Sequence, residues 1–406
     1  HPNFDANYLF ALVLLEKYDE AFAYAKDLNL KNKEIAEANL LLGINSYINN
    51  DYFEAEKYFT RLKNISYNYY NFENFLIALA KAAAKDKPGS LKYLQTIPDN
   101  LNDLTKIQEA MIHCSFDTPM TIPLFKNLIN NQDHSFSRYN FFLVNYLLYK
   151  NDINSVKNII DNNKKYFESN ILLRQSKKFI FKEKYQTIKN LFNCQNPKDL
   201  MAEFLYIIAN LYSTEEDYNL SNFYLKISLL LNKNFSSNKI LLADNYLSQK
   251  NYKESKKIYK SIKKKGSIYS WYASKRIAST IFVTETKDKA INYLEREIKK
   301  IPDPDYYNYY DLANFLKANK EYKEAIKYYS MSLKKIELDH YLIPNILENR
   351  GGCYERLGMW KEGEQDLKES LRLSPDQPYV LNYLAYSWLE KKINIDEALV
   401  MLKKAN

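Results

Sequence analysis

Two glycines, Gly358 and Gly363, have the separation of the glycines in a phosphate-binding loop, and His113 adjoins Cys114, a nitrogen–sulfur pair of the kind that ligates metals. Neither start is completed. A phosphate loop continues with Lys and Ser or Thr, so that an ammonium and a hydroxyl reach the phosphates and their Mg²⁺; Glu364 and Gln365 follow Gly363 instead. No CxxC, HxxxH or other ligand spacing accompanies His113 and Cys114. The other histidines, His1, His134 and His340, have no Ser or Asp at a local triad spacing, and no dinucleotide fingerprint, G-x-S-x-G elbow or HExxH occurs in the 406 residues. The residue types therefore point away from an enzyme and imply no metal and no cofactor.

The composition narrows the class further. Hydrophobic residues make up 46%, enough for packed helices, and only seven glycines and eleven prolines argue against disorder or a β-sandwich. No stretch approaches the roughly eighteen apolar residues of a membrane span. The 58 basic and 49 acidic residues leave a net charge of +9, mild for a dedicated nucleic-acid domain. The abundance of Lys, Asn, Ile and Tyr reads as the mark of an AT-rich genome. Cys114, Cys194 and Cys353 are odd in number and far apart, which reads as no disulfide framework and says little about compartment.

What positions these residues is a ladder. Small residues recur at Ala21 and Ala55, and again at Ser221, Ser255, Ala290, Ala325, Gly363 and Ala398, in steps of 34 to 38 residues within each run. Ser90, Ile122, Ser155 and Thr187 fill the gap less regularly. Such a period marks a solenoid of stacked supersecondary units, whose function lies in a long surface.

The unit from Pro344 to Pro375 shows what one repeat contains. With Pro375 at position 32, Leu347 falls at 4, Gly351 at 8, Tyr354 at 11, Gly358 at 15, Trp360 at 17, Gly363 at 20 and Leu367 at 24. Helical periodicity runs on both sides of Gly358, where a first helix must stop. Small residues at 8 and 20 let two helices approach closely, and Pro375 ends the second. This pattern resembles the tetratricopeptide repeat (TPR), W-x2-L-G-x2-Y, then A-x3-F, then P, with Arg350 where Leu is usual. Leu312-Ala313 with Tyr322, Ala325 and Tyr329 repeats it. So do Leu42-Gly43 with Tyr52, Ala55 and Phe59; Ala209 with Tyr218, Ser221 and Leu225; and Ala243 with Tyr252, Ser255 and Tyr259. Leu384, Ala385 and Trp388 open a last unit that continues through Ala398 after an insertion near Ile393-Asn394-Ile395.

The resemblance implies an all-α solenoid of about twelve TPR or TPR-like helical hairpins forming a right-handed superhelix. Residues 1–65 read as N-terminal repeats, 66–200 as divergent hairpins and 201–406 as a regular array. In the middle stretch, turns are expected at Lys87-Pro88-Gly89, Ile97-Pro98-Asp99, Asn151-Asp152 and Asn196-Pro197, and Thr118-Pro119 through Pro123 is expected to break one unit. His1-Pro2-Asn3-Phe4 resembles the turn that closes a preceding repeat, so the natural chain is expected to extend upstream, where a membrane or lipid anchor would allow peripheral membrane association. The last 60 or so residues resemble a group of alphaproteobacterial TPR proteins that are exported or envelope-associated; periplasm or envelope is the compartment this implies, with cytoplasm as the alternative.

In TPR proteins the first helix of each unit lines a concave groove. Carried over, this places Tyr272 and Lys275 in one unit, Tyr307, Tyr310, Asn314 and Lys317 in the next, then Asn345, Glu348 and Arg356, then Tyr379, Asn382 and Tyr386. Tyrosine offers contact area with a hydroxyl, and Asn pairs with a peptide backbone in both directions. The function implied is a non-catalytic protein–protein interaction scaffold that takes an extended peptide or a partner's helix. The Lys-and-Asn clamp that some TPR domains use on a terminal carboxylate is not reproduced, since Tyr310 stands ahead of Asn314. Lys264-Lys265, Lys299-Lys300 and Lys334-Lys335 fall where a second helix ends, countering its dipole. RNA binding along such a basic surface is the alternative, though the small residue at 8 and the aromatic at 17 speak against the pentatricopeptide type.

Overall fold

The computed structural model describes residues 2–62, 72–130 and 134–405. Among them, twelve helical hairpins follow one another, with one extra short helix, Lys164–Ser169, and no strand. The chain divides into two compact units, His1–Ser270 and Trp271–Asn406, the division falling inside the helix Ser267–Thr284.

Except in the pair Ser267–Thr284 and Lys287–Lys299, one recurrent backbone device makes these hairpins turn. The first helix ends on a residue at positive φ: Glu16, Asn50, Asn151, Glu216, Lys250, Lys320, Gly358 and Lys392 among others. The amide of that residue and the next one bond back to the last turn, as Glu16 N–H does to the Val13 carbonyl (3.0 Å) and Lys17 N–H to the Leu12 carbonyl (2.9 Å). This satisfies carbonyls that a helix end would otherwise leave orphaned. The following residue often caps the second helix: the Asp51, Asp152 and Asp217 carboxylates accept from the amides of Glu54, Ser155 and Leu220. Only at Gly358 (φ 74°) does glycine supply the left-handed turn; elsewhere an ordinary side chain bears a penalty of about 1–2 kcal/mol that the two hydrogen bonds offset.

The ladder packs as its chemistry requires. Ala21, Ala55, Ser221, Ser255, Ala290, Ala325 and Ala398 are fully buried. Where a rung is serine, its hydroxyl donates across the hairpin to the carbonyl at position 8: Ser90 to Ala78 (2.7 Å), Ser221 to Ala209 (2.7 Å) and Ser255 to Ala243 (2.9 Å). A buried hydroxyl is thereby paired, and the helices are held at close range.

Several expectations are corrected here. The rungs of the middle stretch are Thr121, Val156 and Ile188, all buried, one residue away from Ile122, Ser155 and Thr187. Val156 and Ile188 stand five residues after the positive-φ residues Asn151 and Glu183, the same offset that separates Ala21 from Glu16 and Ala55 from Asn50, whereas Thr121 stands four after Asp117. Lys87-Pro88-Gly89 is the first turn of the helix Lys87–Leu94, since Pro needs no donor there. The segment from Thr118 does not break its unit: the helices Asn102–Ser115 and Thr121–Asn130 pack as a hairpin, with Pro123 in the first turn. Pro2–Leu14 is helix, not a closing turn.

The largest correction concerns the cysteines. Cys114, near the end of Asn102–Ser115, and Cys194, in the segment after Tyr185–Lys189, form a disulfide, with Cα atoms 5.8 Å apart across 80 residues of sequence. Both are buried. Cys353 is free, and burial pushes its thiol up to about 11, against the pull of Lys317.

The first unit also folds back on itself. The helices Pro197–Thr214 and Tyr218–Leu231 are reached from almost every earlier hairpin. Phe10 stacks on Phe223 (4.8 Å between centroids), the Tyr18 hydroxyl donates to the Lys226 carbonyl (3.0 Å), and Glu16 pairs with the Lys226 ammonium. The Tyr47 hydroxyl donates to the Pro197 carbonyl (3.0 Å), and Phe75 lies 5.4 Å from Phe204. Residues Leu200 through Leu205 are buried on every side, which makes their helix a core element rather than a groove wall.

Candidate functional site

In the second unit, three successive first helices, Tyr306–Ala318, Ile343–Arg356 and Pro378–Lys391, flank an open cleft of about 350 Å³. Each keeps its apolar face inward: Leu312, Ala313 and Leu316, then Ile346, Leu347 and Gly351, then Leu381, Leu384 and Ala385 are buried. The cleft is then faced by Asn314 and Lys317 of the first helix, Glu348, Asn349, Gly352 and Arg356 of the second, and Tyr379 and Tyr383 of the third.

The cleft brings together Asn314, Lys317, Glu348, Arg356 and Tyr379 from the sequence set, with Tyr322, Asn349, Gly352, Leu367 and Tyr383 beside them. Lys317 Nζ donates to Asn349 Oδ1 at 2.7 Å. Burial raises the Glu348 carboxyl above its ordinary range, with Lys317 opposing the shift. Tyr379 stacks along Tyr383 (6.1 Å), whose hydroxyl donates to Glu355 Oε2 at 2.6 Å. Arg356 is exposed, its Nε 3.8 Å from the same Glu355 oxygen.

The remaining members of the set are placed otherwise. Tyr386 is exposed (60%) on the same helix as Tyr379, Asn382 is half-buried, and Asn345 is exposed, its carbonyl accepting from the Asn349 amide (2.6 Å). Tyr307 meets Tyr341 hydroxyl to hydroxyl (2.6 Å). Lys275 is committed to Asp311 (2.7 Å), which also accepts from Trp271 Nε1 (2.8 Å); Tyr272 is half-buried on the same helix as Lys275. Tyr310 is half-buried against Tyr329, and burial raises its phenol. Asn314 Oδ1 accepts from the hydroxyl of the fully buried Tyr329 (2.6 Å), so it supports the hairpin as well as facing the cleft.

Sequence reasoning passed over Asn349, Gly352 and Tyr383. A signal existed for Gly352. An interior helical glycine is unfavourable by about 1 kcal/mol against Ala. Gly351 has a packing reason, because its Cβ would meet the Gly363 carbonyl at 3.0 Å. Gly352 has none: a Cβ there would find only Lys317 Nζ, at 4.0 Å.

The lysine pairs sit at helix ends as expected. Lys300 pairs with Glu297 (2.7 Å) and Lys335 with Asp303 (2.7 Å). Residues 271–406 hold 22 basic and 21 acidic residues, so the excess positive charge of the chain belongs to residues 1–270. Among the described residues, no group of three or more His, Cys, Asp or Glu could hold a metal ion, and no helix is long and apolar enough to cross a membrane.

No family model matches the chain, and no curated protein matches it. Solved structures do. MamA is 15% identical over 40% of this chain and 92% of its own, with a TM-score of 0.33. The APC/C hetero-tetramer Cut9–Hcn1 is 13% identical over 100% of this chain and 93% of its own (TM-score 0.39). YrrB, described as a TPR protein with an unusual peptide-binding site, is 17% identical over 46% of this chain and 92% of its own (TM-score 0.29). The likeness lies in helical architecture.

Proposed function

We propose that this chain is a non-catalytic scaffold that binds an extended segment of a partner protein along the first helices of its second unit. The observation that carries this reading is the cleft between Tyr306–Ala318, Ile343–Arg356 and Pro378–Lys391, lined by amides and tyrosines and open along its length. Asn349 and Asn382 can each donate to and accept from a peptide backbone, and the exposed rings of Tyr379 and Tyr386 offer rigid contact area. The first unit complements this role: its hairpin Pro197–Leu231 is enclosed by its own neighbours, which leaves the second unit as the binding arm. The buried Cys114–Cys194 bond supports an oxidising compartment, such as a cell envelope, as the place of action.

A photocrosslinking residue at Tyr386 of the full chain tests the reading. It should capture a discrete partner, and capture should be lost when Gly352→Leu fills the cleft. Capture that persists unchanged in Gly352→Leu would show that the partner lies elsewhere.

A further inference from the structure

The cleft contains a cation, Lys317, that makes no ion pair among the described residues. Lys317 is half-buried, and its ammonium is held over Gly352 by a neutral acceptor, Asn349 Oδ1, at 2.7 Å. Among the described residues no carboxylate forms an ion pair with it, although Glu348 is close enough to feel its field. This sets Lys317 apart from Lys275 one repeat earlier, which spends its charge on Asp311 at 2.7 Å. Beneath the ammonium the helix surface is bare, because Gly352 presents no side chain and nothing else lies within 4 Å of where one would begin. A glycine in mid-helix lowers stability, so the open floor comes at an energetic disadvantage that packing does not explain.

We infer that Lys317, Asn349 and Gly352 form a specificity subsite for an acidic side chain of a through-running peptide, the carboxylate seating on Lys317 Nζ and the peptide backbone lying against the bare helix at Gly352. This deepens the groove reading above and rests on it. The acid belongs to a side chain rather than to a chain end because the cleft does not stop at Lys317. It continues to Tyr379 and Tyr383 on the next helix, and Asn345 lies exposed one turn before Asn349. Arg356 on the same wall is solvent-exposed and 3.8 Å from Glu355, so it steers the approach more than it holds the ligand. A charge-assisted hydrogen bond in such a cleft strengthens binding by about tenfold or more.

The test is a selection on the full chain from random dodecapeptides displayed at the N-terminus of a carrier, which presents no free peptide C-terminus. Selected peptides should be enriched in Asp or Glu at one fixed position. A synthetic version with an amidated C-terminus should bind, and replacing that Asp or Glu by Asn or Gln should weaken it about tenfold. Lys317→Gln, which can still donate to Asn349, should weaken the acidic peptide about tenfold and the amide peptide little. Gly352→Ala should weaken both while leaving the fold at least as stable. Selected peptides without a fixed acid, or Lys317→Gln binding like the parent, would overturn the subsite while leaving the groove reading intact, provided Tyr379→Ala still weakens binding. Binders indifferent to Tyr379→Ala and Gly352→Ala alike, or no binders at all, would overturn both.

Discussion

Arg138 and Glu203 meet in a two-point ion pair inside the first unit, Nε to Oε1 at 3.0 Å and a terminal guanidinium nitrogen to Oε2 at 2.7 Å, joining positions 65 residues apart. Glu203 is 1% exposed, and the guanidinium lies 4.2 Å from the Tyr206 ring and 4.9 Å from that of Phe235. Removing one partner strands the other charge in an apolar site. Arg138→Met alone should therefore cost about 3–5 kcal/mol, whereas Arg138→Met with Glu203→Leu should recover most of it. Chemical unfolding of the two variants measures the difference; equal losses would mean that the pair is hydrated.

The same region carries a pH dependence. Burial pushes the Asp199 carboxyl to about 6 from an ordinary 3.8, against the Asn193 amide and the Asn196 side chain. The folded chain thus keeps a proton, from pH 3.8 to 6, that the unfolded chain has already lost. Its contribution is greatest at acid pH and declines as pH rises through the folded value, by about 2–3 kcal/mol in all. Asp199→Asn should lack this term, so that its stability relative to the parent improves between pH 4 and 7, read from denaturant midpoints at both. A constant difference across that range would show that Asp199 titrates normally.

The Cys114–Cys194 bond closes an 80-residue loop across the divergent hairpins. In the chain-entropy account such a closure stabilises by about 4 kcal/mol. Thiol titration in denaturant without reductant should detect one cysteine, Cys353, and with reductant all three. The double variant Cys114→Ala, Cys194→Ala should unfold at a markedly lower temperature. Three reactive thiols in the unreduced chain would refute the bond.

These long-range features mark the limit of what the residues alone disclose. The repeat ladder was legible because Ala21, Ala55 and Ala325 answer to a local demand, the close approach of two helices a dozen residues apart in sequence. The register slipped at Val156 and Ile188 because larger side chains there hide the rung, while the positive-φ turn that sets it is made by Asn151 and Glu183, residues with no glycine signature. The disulfide, the Arg138–Glu203 pair and the stacking of Phe10 on Phe223 join residues 65 to more than 200 apart, and no periodicity encodes them. In the cleft, Lys317 and Arg356 were legible from repeat position. Gly352 was not, because a glycine matters there for the space it leaves.

Three neighbouring glycines separate these two uses of a missing side chain. A Cβ on Gly363 would meet the Gly351 carbonyl at 2.9 Å, and one on Gly351 would meet the Gly363 carbonyl at 3.0 Å and Leu367 at 3.2 Å. Backbone atoms cannot swing aside, so Gly363→Ala must push the helices Ile343–Arg356 and Trp360–Leu373 apart, at a cost of about 1–3 kcal/mol that a gain of roughly 1 kcal/mol in helix propensity only partly offsets. Gly352→Ala meets no such obstacle and collects the propensity gain alone, up to about 1 kcal/mol. Thermal unfolding should thus order the variants with Gly352→Ala above the parent and Gly363→Ala below it. If Gly352→Ala lies below the parent as well, the floor of the cleft is packed rather than open, and the space assigned to a partner is not there.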